Sequence, residues 1–223
     1  MISPTNEPAD NDPNKAHHAG VPITEKVCLV TGGGQKRGIA VAEALAMAGV
    51  KTIALTYAEE REPAHELYVK IQSMGIGCLL AKMDVTDRKS VRKVLLWVKD
   101  QVGQIDVLIN AEHIAWPDDF DTASPGDRLQ AVGVNIRAQA RTADEVLPFM
   151  SIQRTGGLVI GVGVQDEITS ALDSFDDPGV PRSVAAAIFP MRALAASRQV
   201  TISVLPFGEP DTVANAVVRL ATA

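Results

Sequence analysis

Apolar runs alternate with amphipathic helical stretches along this 223-residue chain from Lys26 onward. KVCLVT is followed by a glycine-rich loop and a helical pattern, and the same pairing recurs after KTIALTY, CLLAKMDV, DVLINA, LVIGVGV and VTISVLPF. Parallel strands need long crossover connections, and helices usually supply them while covering the faces of the sheet. The sequence therefore predicts an α/β fold: a doubly wound parallel sheet of about six strands with helices on both faces.

The chain is long and apolar enough for one sizeable core. Its 223 residues are 46% hydrophobic, so we expect residues 25–223 to form a single domain. Residues 1–24 are rich in Pro, Asn, Asp and Ala, and this composition predicts a disordered tail. His17 and His18 in that tail have no ligand cluster beside them, so we predict no metal site.

Charge and apolar patterning exclude several classes of partner. A net charge of −6 gives no basic field for nucleic acid, so we expect no nucleic-acid partner. No apolar run is long enough for a membrane span or a secretory signal, and we expect a cytoplasmic protein with no membrane contact. Cys28 and Cys78 fall in the first and third strands, about 9 to 10 Å apart, and we expect both to be unbridged packing residues.

A glycine-rich loop, TGGGQKRGIA, directly follows the first strand and opens a helix. Glycines allow a tight turn and close approach of the backbone to a pyrophosphate, and the helix N-terminus supplies unpaired N–H groups. This context predicts a dinucleotide site. The alternative is a glycine turn that only packs the strand against the helix.

Several motifs in order along the chain resemble the short-chain dehydrogenase/reductase family, over roughly residues 25 to 221. They are the glycine loop, MDVTD, LINAEHI in place of LVNNAGI, VNIRA, and VTISVLPFG with the helical stretch after it. The resemblance implies a Rossmann-like fold, and Asn135 stands at the helical asparagine of the family's catalytic tetrad. The cofactor-binding positions that it implies are Thr31, Gly32, Gly34, Gly38, Asp84, Val85 and Asn110.

The nucleotide half departs from the family pattern in ways that oppose cofactor binding. The segment between Gly32 and Gly38 is two residues longer than usual, and Glu112 and His113 replace small residues that the cofactor normally passes. The strand that normally ends in a ribose-binding acid ends here in Thr56-Tyr57. We therefore expect no cofactor, or weakly bound NAD(P) at vestigial positions.

The catalytic half lacks the residue types that the family's chemistry requires. There is no lysine after Lys99 and no tyrosine after Tyr68. RSVAAAIFPMRALA aligns to the family helix that bears the lysine, and this alignment places Val184 at the lysine, Val180 at the tyrosine and Val164, or Gly163, at the serine. Valine neither donates a proton nor lowers the pKa of a neighbour, so no catalytic set is intact, and we interpret Asn135 as an inherited structural residue.

Two further family features are reduced. The substrate loop after the sixth strand is nearly gone, because Phe207 and Gly208 lead directly into the last helix, and we expect the final edge strand to be missing. Between the fifth strand and the next helix lies an acidic loop, which we interpret as solvated rather than catalytic. Its carboxylates are Asp166, Glu167, Asp173, Asp176 and Asp177.

These losses favour a non-catalytic subunit, a pseudoenzyme that assembles with an active NAD(P)-dependent family member and stabilises it. By analogy with degenerate subunits in the family, the partner could be a hydroxyacyl- or ketoacyl-CoA dehydrogenase, as in anaerobic aromatic degradation. The expected hetero-oligomeric interface comprises the helices near 128–150 and 183–197. Two alternatives stay open: a nucleotide-sensing regulatory module, and an active oxidoreductase whose proton donor is His113, Glu112 or an acidic-loop residue.

Overall fold

The computed structural model describes residues 21–114, 124–162, 200–205 and 209–222. A short 3-10 helix, Ile23–Glu25, precedes the first strand. The strands and helices in chain order are β1 (Val27–Val30), α1 (Lys36–Met47), β2 (Thr52–Tyr57), α2 (Arg61–Ser73), β3 (Gly77–Lys82), α3 (Arg88–Val102), β4 (Val107–Asn110), α4 (Pro125–Met150), β5 (Gly157–Val162), β6 (Val200–Leu205) and α5 (Pro210–Thr222).

All six strands lie in one parallel sheet with the order β3-β2-β1-β4-β5-β6. This confirms the doubly wound α/β fold. The register pairs Cys28 with Ile53 and Ile53 with Cys78, so β2 separates the two cysteines, which are free and buried as expected. Strand order reverses between β1 and β4, and ligands of such sheets bind at the carboxyl ends of the strands at this switch point.

Helices cover the sheet on both faces because successive strand residues point to opposite sides. Val30 packs toward α1, α2 and α5, whereas Leu29 packs toward α3 and α4. The first core, on the face covered by α1, α2 and α5, includes Leu45 and Val217. The second core, on the face covered by α3 and α4, includes Leu95. Each helix therefore buries one apolar stripe and leaves a polar face outward.

Two helices begin at side-chain caps. The Asp87 carboxylate accepts hydrogen bonds from the backbone N–H groups of Lys89 and Ser90, at 3.0 and 3.3 Å, at the start of α3. The Ser124 hydroxyl accepts one from the Asp127 N–H at 3.1 Å at the start of α4. This cap starts α4 at Pro125, three residues before the predicted start near Arg128, since proline is favoured at the first helical position.

A buried lysine joins the beginning of the sheet to the last helix. Lys26 is 2% exposed, and its Nζ donates a hydrogen bond to the Ala221 carbonyl at 2.7 Å. Burial lowers the pKa of Lys26. Ile23, which we assigned to the tail, packs against the first core, so this residue belongs with the folded domain.

Several predicted features lie outside the described residues. They are the tail up to residue 20, the acidic loop, the helix near 183–197, the Phe207-Gly208 connection, and Val164, Val180 and Val184. Among the helices that the structure does describe, none combines the length and the apolarity that crossing a membrane requires.

Candidate functional site

The glycine loop, residues 31–38, follows β1 and lies against the segment that follows β4. Thr31 is buried, and its hydroxyl accepts hydrogen bonds from the N–H groups of Ala111 and Glu112, at 3.1 and 3.2 Å. The Thr31 N–H donates to the Ile109 carbonyl at 3.0 Å. One threonine therefore fixes where Glu112 enters the crevice between the two strands.

Two glycines of this loop are required by close backbone packing. Gly32 has φ +69°, and a Cβ atom placed there would stand 2.7 Å from the Cα atom of Glu112. A Cβ atom at Gly38 would stand 2.0 Å from the Gly32 carbonyl oxygen. The tight turn of a dinucleotide loop is thus present. Its glycines also serve strand–helix packing, the alternative raised from the sequence.

The longer loop reaches the segment between β2 and α2. The Gly33 N–H donates to the Thr56 carbonyl at 2.7 Å, and the Gln35 amide lies 3.4 Å from a Glu60 carboxylate oxygen. A Cβ atom at Gly34 would stand 2.3 Å from the Glu60 carbonyl oxygen. The longer loop therefore packs against the backbone at the end of β2 and in the segment that follows it.

Gln35 also holds the segment after β4 through a pair of amide hydrogen bonds. Its Oε1 accepts from the His113 N–H at 2.9 Å, and its Nε2 donates to the His113 carbonyl at 3.1 Å. The Arg37 guanidinium contacts the His113 ring. Burial and this cation lower the pKa of His113 to about 4, so the imidazole is neutral at pH 7 and poorly matched to proton transfer there.

Glu112 is a buried carboxyl beside the glycine loop. The residue is 6% exposed, and its Oε2 has no hydrogen-bond partner within the described part of the chain. Burial raises the pKa of Glu112 to about 7, and the nearby carboxylates of Glu60 and Asp84 raise it further, whereas the hydrogen bond from the Gly32 N–H lowers it. The hydroxyl of Thr56, fully buried at the end of β2, likewise has no partner there.

The two positions implied for adenine contact follow β3 at the same edge of the sheet. Asp84 is exposed, and hydrogen bonds from the Thr86 hydroxyl and N–H, at 2.6 and 2.8 Å, lower the pKa of its carboxyl. Val85 is buried, and its carbonyl accepts a hydrogen bond from Arg141 at 3.1 Å. Both residues thus border the crevice, with Arg141 of α4 behind them.

Asn110 belongs to a buried polar chain that joins β4, α4 and β5. Its Oδ1 accepts from the Thr142 hydroxyl at 2.6 Å, and its Nδ2 lies 3.5 Å from the Gln139 carbonyl oxygen. The Gln139 side chain donates to the Val162 carbonyl at 3.0 Å. Sequence reasoning missed Thr142 and Gln139, although their polar side chains lie three residues apart on a helix that is largely apolar inward.

Asn135 uses its side chain to fix the end of the segment after β4. Its Oδ1 accepts from the Ile114 N–H at 2.9 Å, and its Nδ2 donates to the Ile114 and Ala131 carbonyls, at 2.8 and 2.9 Å. These bonds occupy the amide's two donors and one acceptor position. Within the residues that the structure describes, no three His, Cys, Asp or Glu side chains come together as a metal site.

The fold and the crevice are those of a dinucleotide-binding oxidoreductase scaffold. A family model described as short chain dehydrogenase matches residues 26–168, and the chain belongs to this family. The match spans the glycine loop and all of β1 to β5, and it ends before Val180 and Val184.

Two relatives illustrate how far the similarity extends. The chain is 29% identical over 157 residues to the oxidoreductase UcpA of Salmonella typhimurium, with 70% of this chain and 56% of the relative covered. It is 30% identical over 158 residues to a CLA biosynthesis dehydrogenase/reductase of Lactiplantibacillus plantarum, with 70% and 52% covered. The chain thus spans about half the length of these relatives.

Solved structures of the family share the fold. A metagenomic short-chain oxidoreductase in complex with NADP superposes with a TM-score of 0.65 at 22% identity, covering 90% of this chain and 92% of the other. A hydroxysteroid dehydrogenase from Escherichia coli gives a TM-score of 0.68 at 19% identity, with 90% and 91% covered. At such identities the likeness defines the architecture.

The start of α1, beside Glu112, is the place at which a fold of this kind holds the pyrophosphate of a dinucleotide. Phosphate groups at a helix N-terminus need free backbone N–H donors and positive potential. Here the Gly32 N–H already donates to the Glu112 carboxylate, and Glu60 and Asp84 add negative charge. The turn of the glycine loop is retained, and a buried carboxyl lies beside it.

Proposed function

We propose that this chain is a non-catalytic subunit that assembles with an active NAD(P)-dependent short-chain dehydrogenase/reductase and stabilises it. The observation that carries the proposal is the absence of any lysine after Lys99 and of any tyrosine after Tyr68. General acid–base catalysis contributes about 10² to 10⁴ in rate, and valines at positions 180 and 184 supply none of it. A hydroxyacyl- or ketoacyl-CoA dehydrogenase is the partner class that we favour.

The site geometry supports this proposal from two sides. His113 has a pKa of about 4 and contacts Arg37, which argues against its use as a proton shuttle near neutral pH. Asn135, the retained member of the tetrad, is engaged with backbone groups of Ile114 and Ala131. Neither residue offers a substitute for the missing proton donor.

The described helix of the proposed interface presents a polar outward stripe. Gln130, Arg137 and Asp144 are exposed on α4, and their spacing of seven residues places them on one side of the helix. A partner that covers this stripe would contact the Arg137 cation and the Asp144 anion, which lie about two helical turns apart. Both side chains are exposed, so reversing both charges tests the interface with little expected effect on the stability of the isolated chain.

The experiment purifies the tagged chain from its own cells and measures NAD(P)-dependent turnover of hydroxyacyl and ketoacyl thioesters by the complex and by the isolated chain. We expect activity only in the complex, and we expect Arg137→Glu with Asp144→Arg to dissociate it while the melting temperature of the isolated chain is kept. Lys93→Glu, a charge reversal on the exposed face of α3, is the matched control and should leave the complex intact. A lone monomer with steady turnover would contradict the proposal.

A nucleotide-sensing module is the second candidate, and one observation favours it: the glycine turn keeps its positive φ at Gly32 and its close packing at Gly38. Such a module would bind NAD(H) or NADP(H) without turning it over. Micromolar binding to the isolated chain at neutral pH, with no dehydrogenase bound to it in its own cells, would favour sensing over assembly.

A further inference from the structure

A protein carboxylate occupies the position in which the glycine loop offers a backbone donor to an anion. Glu112 is held there by the Thr31 hydroxyl, which accepts its backbone N–H at 3.2 Å, and its carboxylate accepts the Gly32 N–H. The backbone of Glu112 lies so close that even a methyl group on Gly32 would not fit. The other carboxylate oxygen is buried without a partner in the described structure.

Charged groups surround this carboxyl from each neighbouring element. α1 contributes exposed Lys36 and buried Arg37, and the guanidinium of Arg37 is engaged with the ring of His113. His113 itself is neutral above about pH 5, because its pKa is lowered to about 4. The segment before α2 contributes Glu60 and the segment after β3 contributes Asp84, and both raise the pKa of Glu112.

An ionised Glu112 and a ligand phosphate would compete for the same donor. Both are anions, both would accept backbone N–H groups of the glycine loop, and Glu112 has little exposure to water that could screen its charge. A neutral carboxyl removes the repulsion and can itself donate a hydrogen bond to a phosphate oxygen.

We propose that Glu112 is an internal competitor for the pyrophosphate of a dinucleotide: its ionised carboxylate excludes NAD(P) from the glycine loop, and the crevice admits the ligand only when this carboxyl is neutral. The proposal concerns ligand entry and does not depend on assembly with a dehydrogenase. If the chain proves to have no dehydrogenase partner, the proposal about ligand entry still stands and is tested separately.

The size of the expected effect follows from the titration of this carboxyl. With a pKa of about 7, roughly nine-tenths of the chains carry a neutral Glu112 at pH 6 and roughly one-tenth do so at pH 8. Apparent affinity scales with the competent fraction. We therefore expect NADH and NADPH to bind roughly tenfold more weakly at pH 8 than at pH 6.

The experiment measures binding of NADH and of NADPH to the full chain by isothermal titration calorimetry at pH 6 and pH 8. Glu112→Gln, which keeps the shape and removes the charge, should bind with one affinity at both pH values. Glu112→Ala, which restores the residue type usual at this motif position, should do the same. Glu59→Gln removes an exposed carboxylate nearby and should keep the pH dependence of the unaltered chain.

Three results would overturn the proposal. They are equal affinity of the unaltered chain at the two pH values, a pH dependence in Glu112→Gln like that of the unaltered chain, and no binding to either Glu112 variant up to millimolar ligand. Melting curves establish that each variant is folded. If neither variant folds, the comparison of the unaltered chain at the two pH values decides alone.

Discussion

The Thr31 hydroxyl accepts the backbone N–H of Glu112 at 3.2 Å, and it accepts that of Ala111 at 3.1 Å in the same way. A side chain at the end of β1 thus satisfies two donors that follow β4. No strand pairing reaches these donors, because β4 ends at Asn110. This acceptor joins the end of β1 to the segment after β4, which Gln35 and Asn135 hold further along.

Replacing Thr31 with valine should lower the free energy of unfolding by about 1–3 kcal/mol, because two buried N–H groups lose their acceptor while the volume is kept. Thr31→Ser retains the hydroxyl and should stay much closer to the unaltered chain. Urea denaturation measures both. Equal stability of the valine and serine variants would show that the hydrogen bonds contribute little.

Glu112→Gln should stabilise the chain increasingly as pH rises from 4.5 to 7. The folded pKa of about 7 lies above the ordinary 4.5, so the folded state binds more protons in this window and its stability falls with pH. The glutamine variant escapes this loss, whose upper bound is about 3 kcal/mol. Urea midpoints across pH 4 to 8 test it, with Glu59→Gln as the control.

His113→Asn should have the opposite effect on the pH dependence. The pKa of His113 is lowered from 6.5 to about 4, so the unfolded state binds more protons between those values and acid destabilises the fold. Removing the imidazole should make the chain less sensitive to acid in that range. A variant that loses stability toward pH 4 as steeply as the unaltered chain would contradict this.

Asn135→Ala should lower the free energy of unfolding by about 1–3 kcal/mol, since the N–H and carbonyl of Ile114 lose their shared partner. Arg137→Ala, two positions along the same helix and exposed, should change it by less than about 0.5 kcal/mol. Thermal melting of the two variants side by side provides the measurement. An unchanged melting temperature for Asn135→Ala would contradict a structural role for this side chain.

Introducing Val180→Tyr together with Val184→Lys should leave NAD(P)-dependent turnover of hydroxyacyl thioesters at background. Catalytic groups act as a unit, and the serine and the substrate loop of the family pattern would still be missing. The assay compares the double variant with the unaltered chain at pH 6 and pH 8. Recovery to within tenfold of a related active enzyme would show that the remaining departures matter little.

The sheet could be predicted because each strand is a local apolar run with turn residues at its ends. The strand order expected of such a fold places Cys28 and Cys78 on the two strands that flank β2, and the register confirms that placement. The start of α4 was predicted three residues late, because the cap that Ser124 provides precedes the amphipathic pattern. Local signals thus define elements well and their ends less well.

The candidate site could be predicted only in part, because its decisive contacts join distant segments. Glu112 was recognised as a bulky charge where small residues are usual. Its burial and its bond to Gly32 depend on how Thr31 positions the strand end, which no local pattern encodes. The amide pair between Gln35 and His113 likewise links residues 78 positions apart.

The hydrogen bond from Lys26 to Ala221 has a consequence for synthesis. α5 packs against α1 through Val213 and Val217. It also supplies the Ala221 carbonyl that accepts the hydrogen bond from Lys26, the residue directly before β1. A growing chain must therefore keep the apolar side of α1 uncovered, and this ammonium without its acceptor, until the 13 residues of α5 leave the ribosome. Nascent chains halted before Pro210 should bind chaperones strongly, and release should coincide with the appearance of that final helix.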